Sequence, residues 1–514
     1  MGLDGDSNGD RRARAAPPRV AIVGAGFGGI GAGVLLTRAG YRDVTLFERG
    51  DRIGGVWNHN TYPGAACDVP SHMYEFSFAP NPRWSRRYAP QAEIQQYLEN
   101  VASSHGLLER LRTNTEVSDA RWDDVHGRWQ LETSAGAHEF DVLIAACGQL
   151  SVPKFPPLDG LEKFAGPAFH TAEWRDDVEL AGRRVAIVGT GCSAIQTGPA
   201  IAPLVAQLDI YQRSPGWTFP KMDFVYSERA KRAFERFPAL QRLDRAANFA
   251  FHEFGALAMT REPLLLVPFR AIARRQIDKA ISDPVLRAKV TPDDEVGCKR
   301  VMLTDDWYPT LTRENVELIT DSIDGVTPGG VRTSDGTERP ADVIVFATGF
   351  KSHGFVAPMR ISGAGGRTLQ EEWGARPHAY FGLSVPGFPN MFLLYGPNTN
   401  GGTGSVIETI EAGANHVVAA LRALERSGAR EIAVTRSAAD AFDRQLRAAL
   451  ANTVWHTGCT SWYVDENGND PNQWPWLWST YRRRTARLDP GAYELSGAGS
   501  RAQRSVAEGR APVA

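Results

Sequence analysis

The sequence predicts an α/β protein with two Rossmann-like dinucleotide-binding domains, the second inserted in the first and carrying a helical insertion. Three observations predict this architecture. A glycine-rich turn follows an apolar strand at Gly24, a second follows at Gly189, and two similar strands, DVLIAACG (141–148) and DVIVFATG (342–349), each end in a glycine. In such a domain the turn joins a buried strand to a helix, and its glycines let the backbone approach a pyrophosphate.

Length and charge exclude several classes of function. The chain has 514 residues, enough for two or three domains. Its net charge of −2 argues against nucleic acid or an anionic membrane as the main partner. No run of about 18 apolar residues occurs, so we expect no membrane span. The N-terminus lacks the apolar segment of a signal peptide, and a cytoplasmic location is expected.

The cysteines predict neither a disulfide framework nor a metal site. They are odd in number and widely spaced: Cys67, Cys147, Cys192, Cys298 and Cys459. No CxxC pair, which would indicate zinc or redox chemistry, occurs among them. A reducing compartment fits this pattern.

The first glycine-rich turn predicts a nucleotide with free ribose hydroxyls. Gly24-x-Gly26-x-x-Gly29 follows the β-branched run at 20–23 and precedes apolar residues at helical spacing. The next apolar strand ends in Glu48, 24 residues after Gly24, near the offset at which a carboxylate accepts ribose hydroxyls. Because this carboxylate repels a 2′-phosphate, the turn is expected to hold FAD or NAD(H) and not NADP(H).

The second turn predicts a phosphorylated ribose. It reads Gly189-Thr190-Gly191-Cys192-Ser193-Ala194, again between a strand and a helix. Counting 24 residues from Gly189 arrives at Arg213, where the first turn has Glu48. A guanidinium pairs with a 2′-phosphate through two hydrogen bonds, so this turn is expected to hold NADP(H).

Two such turns occur in disulfide reductases, ferredoxin reductases and flavin monooxygenases. Disulfide reductases need a cysteine pair against the flavin. Here the segment after the first domain's second strand has Trp57 where a thiol is needed, and Cys67 is the single cysteine nearby. That class is therefore excluded.

The segment FAGPAFHTAEW resembles the fingerprint of the Baeyer–Villiger monooxygenases, with Phe164, Gly166, His170 and Trp174 at the matching positions. Related flavin monooxygenases that oxidise nitrogen and sulfur have Tyr in place of this Trp. Five further motifs agree: GGVW (54–57), YPGAACD (62–68), GCKR (297–300), FATGF (346–350) and TSWY near Trp462. The resemblance runs from about residue 19 to residue 481.

The resemblance implies an FAD-containing, NADPH-dependent enzyme. Such enzymes insert one oxygen atom of O₂ next to a ketone carbonyl, through a flavin C4a-peroxide, and give an ester or lactone. Arg300 would be the cation that stabilises negative charge beside the flavin, and Asp68 would orient it. The alternatives are a flavin N- or S-monooxygenase acting on amines or thioethers, and a non-catalytic NADP-sensing flavoprotein. The ketone and the oligomeric state stay open.

The resemblance also assigns the remaining site residues. FAD would contact Gly24, Gly26, Phe27, Gly29, Glu48, Arg49, Gly55, Val56, Trp57, Asp68 and Tyr74. NADP would contact Gly189, Thr190, Gly191, Ser193, Ala194, Arg213, Ser214, Lys299 and Trp462, the last in a closing loop. Phe164, Gly166, His170 and Trp174 would form an interdomain hinge, in which Gly166 supplies unusual backbone dihedrals.

These assignments predict seven segments, because the inserted domain divides the first. They are a disordered N-terminus (1–17), the opening stretch of the FAD domain (18–151), the opening stretch of the NADPH domain (152–220), a helical insertion (221–298), the closing stretch of the NADPH domain (299–352), the closing stretch of the FAD domain (353–490) with a mobile loop near 455–470, and a disordered tail (491–514).

Overall fold

The first sheet has five parallel strands arranged around the strand Val20–Val23. This computed structural model describes residues 17–497, so the disorder expected of 1–16 and 498–514 lies outside the described residues. The strands stand in the order Met391–Leu393, Val142–Ala145, Val20–Val23, Val44–Phe47 and Leu111–Arg112. All four residues of Val20–Val23 and of Val142–Ala145 are buried, as their apolar sequences require of a sheet covered on both faces.

The second sheet repeats this arrangement. Its five parallel strands stand in the order Ala168–His170, Val343–Phe346, Arg184–Val188, Gln207–Tyr211 and Val316–Ile319. In each sheet the strand before the glycine-rich turn lies in the middle. The chain completes the second sheet before it adds Met391–Leu393 to the first, which confirms the predicted α/β fold with one Rossmann-like unit inserted in the other.

Two connections join these units, and they pair with each other. Pro153 and Phe350 form an antiparallel bridge. The Lys154 amide donates to the Gly349 carbonyl and the Lys351 amide to the Val152 carbonyl, both at 2.9 Å. The chain therefore leaves and re-enters the first unit at one point.

The remaining sheets are smaller. One contains Arg360–Ser362, Val117–Asp123, Arg128–Thr133 and Gly136–Phe140, another Ile323–Thr327, Gly330–Thr333 and Glu338–Pro340. Two pairs complete the set, Thr218–Phe219 with Met302–Leu303 and Glu431–Val434 with Tyr493–Ser496. Because Tyr493–Ser496 is a paired strand, the disordered tail predicted from residue 491 begins too early.

The helices cover the sheets and build the insertion. Those outside the insertion are Phe27–Ala39, Val56–His59, Gln91–Ser104, Cys192–Ile201, Trp307–Leu311, Leu369–Trp373, Val406–Ser427, Arg436–Leu450 and Trp478–Thr485. The insertion contains Glu228–Arg236, Pro238–Thr260, Leu266–Ala280 and Pro284–Val290. Short 3₁₀ helices lie at Leu108–Arg110, Leu161–Lys163, Thr171–Glu173, Pro263–Leu265, Ala364–Gly366 and Val454–His456. Within residues 17–497, none of the helices combines the length and apolar character needed to cross a bilayer.

Candidate active site

A single cavity of about 2,200 Å³ connects both glycine-rich turns. Its walls come from the two Rossmann-like units, from the helix Pro238–Thr260 of the insertion, and from the segment 460–467. Pockets for one small ligand measure about 300 to 1,000 Å³, so this cavity has room for more than one bound molecule.

The first turn can be built only with glycine at two of its positions. Gly24 has a φ of +103°, and a Cβ there would lie 2.5 Å from the Ala146 carbonyl oxygen. A Cβ on Gly29 would overlap the Gly24 carbonyl oxygen. The helix Phe27–Ala39 therefore starts against the strand end, with its first amides and Gly26 at the cavity.

Glu48 lies next to this turn and is 6% exposed. One carboxylate oxygen accepts a hydrogen bond from the Ala25 amide at 2.9 Å, and the other accepts from the Gly50 amide at 2.8 Å. Each oxygen has two lone pairs, so both can accept a further hydroxyl from the cavity. Arg49, which also lines the cavity, donates to the Ser151 carbonyl at 3.1 Å.

The segment that begins at Gly54 packs against the first turn, with the Gly54 amide donating to the Ala25 carbonyl at 2.9 Å. Gly55 has a φ of +56° and leads into the short helix that carries Val56 and Trp57. The Trp57 indole nitrogen donates to the Tyr74 hydroxyl at 3.1 Å. Burial raises the pKa of Tyr74 well above its ordinary value, so its hydroxyl stays neutral.

The second turn has the same backbone geometry with more open surroundings. Gly189 has a φ of +107°, and a Cβ there would lie 2.6 Å from the Ala347 carbonyl oxygen. A Cβ on Gly191 would meet no atom within 4 Å, so the space above it opens into the cavity that Thr190 and Ser193 also line. Ala194 holds the third position and is fully buried.

Three cationic or hydroxyl side chains gather beside this turn. Arg213 and Ser214 are exposed and line the cavity. Lys299 donates to the Ser214 hydroxyl at 3.3 Å and pairs with Asp294 at 2.6 Å. Arg213 has no hydrogen bond or ion pair with any residue in the described range. Its guanidinium is thus free to bind an anion.

Arg300 and Asp68, 232 residues apart in sequence, form a hydrogen-bonded ion pair in the cavity wall. Their side chains are 37% and 24% exposed. The Asp68 charge raises the pKa of Arg300 well above its ordinary value. Burial by itself raises the pKa of Asp68, but the Arg300 charge and hydrogen bond outweigh it and leave that pKa lowered. A fixed cation and a fixed anion therefore face the cavity at neutral pH.

The fingerprint residues do not line the cavity, and His170 lies next to the interdomain connections. His170 ends the outermost strand of the second sheet, is fully buried, and contacts the rings of Phe155 and Phe350 at 5.6 and 5.5 Å between centroids. Burial lowers the pKa of His170 to about 4, so the ring is neutral. Trp174 contacts Phe169 edge-on at 5.2 Å.

The reason for glycine at 166 differs from the one predicted. Gly166 is not among the residues with positive φ, so unusual dihedrals do not require glycine there. A Cβ at this position would overlap the Asp342 carbonyl oxygen and press on the Phe164 ring. Glycine is needed because the connection passes close to the residue that precedes the strand Val343–Phe346.

Trp462 lies in the irregular segment that borders the cavity. Its carbonyl oxygen lies 3.0 Å from His353 Nε2, which donates to it. Its indole nitrogen has no hydrogen-bond partner within residues 17–497, and it is therefore available to a ligand.

Cys298 and Cys459 form a disulfide, so the prediction that the cysteines form none is wrong. The two residues are 161 positions apart, and a search for close pairs along the chain cannot find them. The bond ties the segment that precedes Lys299 and Arg300 to the loop that carries Trp462. Cys67, Cys147 and Cys192 are free.

Sequence reasoning missed two residues of this site. Gln196 accepts from the Tyr62 hydroxyl at 2.9 Å and donates to the Ala66 carbonyl at 3.0 Å, which joins the second turn's helix to the first unit. Its spacing of three from Ser193 puts both on one helix face, and this was the available signal. Tyr463 is buried beside Arg300. It is the last residue of the TSWY motif, in which the resemblance implied a role for Trp462 alone.

Comparison with known proteins gives consistent results. A family described as FMO-like, flavin-binding monooxygenase-like, matches residues 17–229. A Baeyer–Villiger monooxygenase of Streptomyces coelicolor is 42% identical, over 93% of this chain and 92% of its own. One of Pseudomonas aeruginosa is 40% identical, over 93% of this chain and 91% of its own.

Solved structures agree in fold. A structure described as oxidised steroid monooxygenase bound to NADP has a TM-score of 0.84 and 31% identity, covering 93% of this chain and 99% of that one. The closed crystal structure of cyclohexanone monooxygenase has a TM-score of 0.84 and 27% identity, covering 94% and 99%.

Proposed function

The chain belongs to the Baeyer–Villiger monooxygenase family, and we propose that it converts a ketone to an ester or lactone with one oxygen atom of O₂. FAD is the resident cofactor and NADPH the reductant. The observation that carries this function is the Arg300–Asp68 pair, which puts a permanent cation in a cavity reached by both glycine-rich turns.

The first turn and its neighbours fit FAD. Gly26, the amides at the start of the helix Phe27–Ala39 and the buried Glu48 carboxylate border the cavity and suit a pyrophosphate and a ribose. Reduced FAD supplies the chemistry that activates O₂. The proposed FAD site is completed by Gly24, Phe27, Gly29, Arg49, Gly55, Val56, Trp57, Asp68 and Tyr74.

The second turn fits NADPH. The free Arg213 guanidinium, the Ser214 hydroxyl and Lys299 form an anion site suited to the 2′-phosphate. The Trp462 indole would donate to the nicotinamide ribose. The pyrophosphate would be held by Gly189, Thr190, Gly191, Ser193 and Ala194.

Arg300 stabilises negative charge at two stages. The charge is first on the oxygen that attacks the carbonyl carbon of the ketone, and after the attack it is on the former carbonyl oxygen. Preorganised charge of this kind is commonly the largest single contribution to catalysis. Asp68 holds the guanidinium in place and offsets its desolvation, since an unpaired buried charge is strongly destabilising.

Phe164, Gly166, His170 and Trp174 act as a structural hinge in this proposal. The contacts of His170 with Phe350, in one of the paired connections, and with Phe155, next to the other, support that role. The segment boundaries expected from the sequence describe the proposed domains, except that Tyr493–Ser496 forms a paired strand. A cytoplasmic location stays a prediction. Counting the free thiols of this protein directly after cell lysis tests it, because a reducing compartment should leave Cys298 and Cys459 as thiols.

The test compares native holoenzyme with Arg300→Ala and Arg300→Lys. Each is reduced anaerobically with NADPH, then mixed with O₂ and a cyclic ketone, and the ester is quantified. We expect Arg300→Ala to be reduced by NADPH but to form ester at least about 100-fold more slowly, because one preorganised donor contributes that much. Arg300→Lys keeps the positive charge but lacks the planar guanidinium, and its rate of ester formation should lie between those of native enzyme and Arg300→Ala.

Two outcomes contradict the proposal. Ester formation by Arg300→Ala at the native rate removes Arg300 from catalysis. A native enzyme that leaves ketones unchanged but oxidises a thioether or an amine is a flavin N- or S-monooxygenase. Arg275→Ala, at an exposed arginine on the helix Leu266–Ala280, is the matched control and should behave as native.

A further inference from the structure

His252 lies on the long helix Pro238–Thr260 of the insertion and lines the same cavity as Arg300. Its ring contacts a segment rich in glycine and threonine. Nδ1 lies 2.6 Å from the Thr403 hydroxyl and 3.1 Å from the Gly404 amide nitrogen. Thr403 and Gly404 themselves line the cavity, so the contact is made at its wall.

These contacts fix which ring nitrogen carries the proton. A backbone amide can only donate, so Nδ1 must accept from Gly404. Burial lowers the pKa of His252 to about 4; the Asp68 charge raises this pKa and the Arg87 charge lowers it. The ring is therefore neutral at physiological pH, and its single proton is on Nε2.

Nε2 is left as a donor without a protein acceptor. No residue between 17 and 497 makes a hydrogen bond with it. The atom is not fully buried, and His252 lines the cavity, so Nε2 is accessible to a ligand. The lining of the cavity as a whole is predominantly apolar. A few placed polar groups in an apolar wall fix the orientation of a ligand.

We infer that His252 is a specificity-determining residue, which donates from Nε2 to a second oxygen of the substrate, a hydroxyl or carbonyl remote from the reacting ketone. This rests on the proposed function. The preferred substrates are then ketones with a second hydrogen-bond acceptor, and purely hydrocarbon ketones are turned over less efficiently.

The experiment uses the holoenzyme and matched pairs of cyclic ketones. Within each pair a hydroxyl replaces a methyl at the same carbon, and the series increases the distance of that carbon from the carbonyl. Steady-state ester formation gives kcat and KM for both members with native enzyme, His252→Phe and His252→Gln. FAD content and the circular dichroism spectrum establish that the variants are folded.

For at least one distance, we expect native enzyme to favour the hydroxyl ketone in kcat/KM by about tenfold, the value of one net hydrogen bond. His252→Phe should lose that preference, through KM, and keep its activity on the methyl ketone. His252→Gln retains a donor on a side chain of similar reach and should restore some of the preference.

If native enzyme shows no preference in kcat/KM for the hydroxyl ketone over the methyl ketone at any distance, the inference is overturned while the ketone-oxidising function stands. A native preference that survives in His252→Phe assigns it to another residue and also overturns the inference. Absence of ester from every ketone with native enzyme instead rejects the proposed function, which separates the two failures.

Discussion

The two glycine-rich turns share one backbone and differ in what surrounds it. Gly24 and Gly189 have φ values of +103° and +107°, and each approaches a carbonyl oxygen at the end of the neighbouring strand, that of Ala146 or Ala347. The third positions differ. Gly29 has no room for a methyl group, whereas Ala194 carries one, so the second helix accommodates a methyl group against its strand.

The charged residues at the two turns differ more strongly. Glu48 is buried and already holds two backbone amides, while Arg213 is exposed and has no partner among residues 17–497. A buried acceptor fixed in advance suits a cofactor that stays bound. An exposed cation without a protein partner is available to an anionic group of a ligand. The comparison teaches that one backbone design can have opposite charges beside it, because Glu48 and Arg213 come from the ends of the next strands and not from the turns themselves.

The largest expected effect that separates the turns is at Arg213. Arg213→Ala should raise KM for NADPH about 10- to 100-fold, since a hydrogen bond between charged groups contributes roughly 1.5–3 kcal/mol. KM for NADH, which lacks the 2′-phosphate, should change little. Steady-state kinetics with both coenzymes measure this selectivity. An equal rise for NADH and NADPH would mean that Arg213 does not contact the 2′-phosphate.

A smaller effect is expected at the first turn. Glu48→Gln replaces one acceptor oxygen with an amide that faces a backbone N–H, and the Kd for FAD should rise about tenfold. The ratio of flavin to protein absorbance after repeated gel filtration reports the loss. KM for NADPH should be unaffected.

Glu139→Gln is the matched control for this change, because Glu139 is an exposed carboxylate on the four-stranded sheet. It should retain FAD as the native protein does. If Glu48→Gln retains FAD equally well, the contrast between the two turns cannot rest on this carboxylate.

The smallest effect on catalysis is expected at His170, where stability should change instead. The pKa of His170 in the folded protein, about 4, lies below the ordinary 6.5. The neutral ring therefore contributes fully to the free energy of unfolding above pH 6.5, and this contribution is lost as the pH falls from 6.5 toward 4. His170→Phe should flatten this decline by up to about 3 kcal/mol. Unfolding midpoints at pH 8 and pH 5 test it.

In that experiment pH 8 provides the internal control, since there the difference between variant and native protein reports packing alone. At pH 5 the unfolding midpoint of His170→Phe, relative to that of native protein, should be higher than it is at pH 8. Parallel declines for both proteins would mean that His170 does not titrate as its burial requires. Native kcat in His170→Phe at pH 8 would agree with a structural role in the hinge.

Much of the fold and site could be predicted because the signals are local. A glycine pattern between a strand and a helix specifies a turn whose geometry spans few residues. The position 24 residues after the first glycine is set by the length of one helix and one strand. The residue found there, Glu48 or Arg213, can then be read directly from the sequence. Arg300 and Asp68 were found by resemblance of short motifs, and the fold brings them together as an ion pair.

By itself, the sequence determined the two nucleotide turns, their opposite charges and the order of the domains, because these depend on neighbours along the chain. Only the tertiary structure decided that Cys298 meets Cys459, that Gln196 joins the two units, and that Gly166 makes room for Asp342. Such pairings join distant segments, and their geometry depends on how whole sheets and helices pack. No local pattern of residues records that packing.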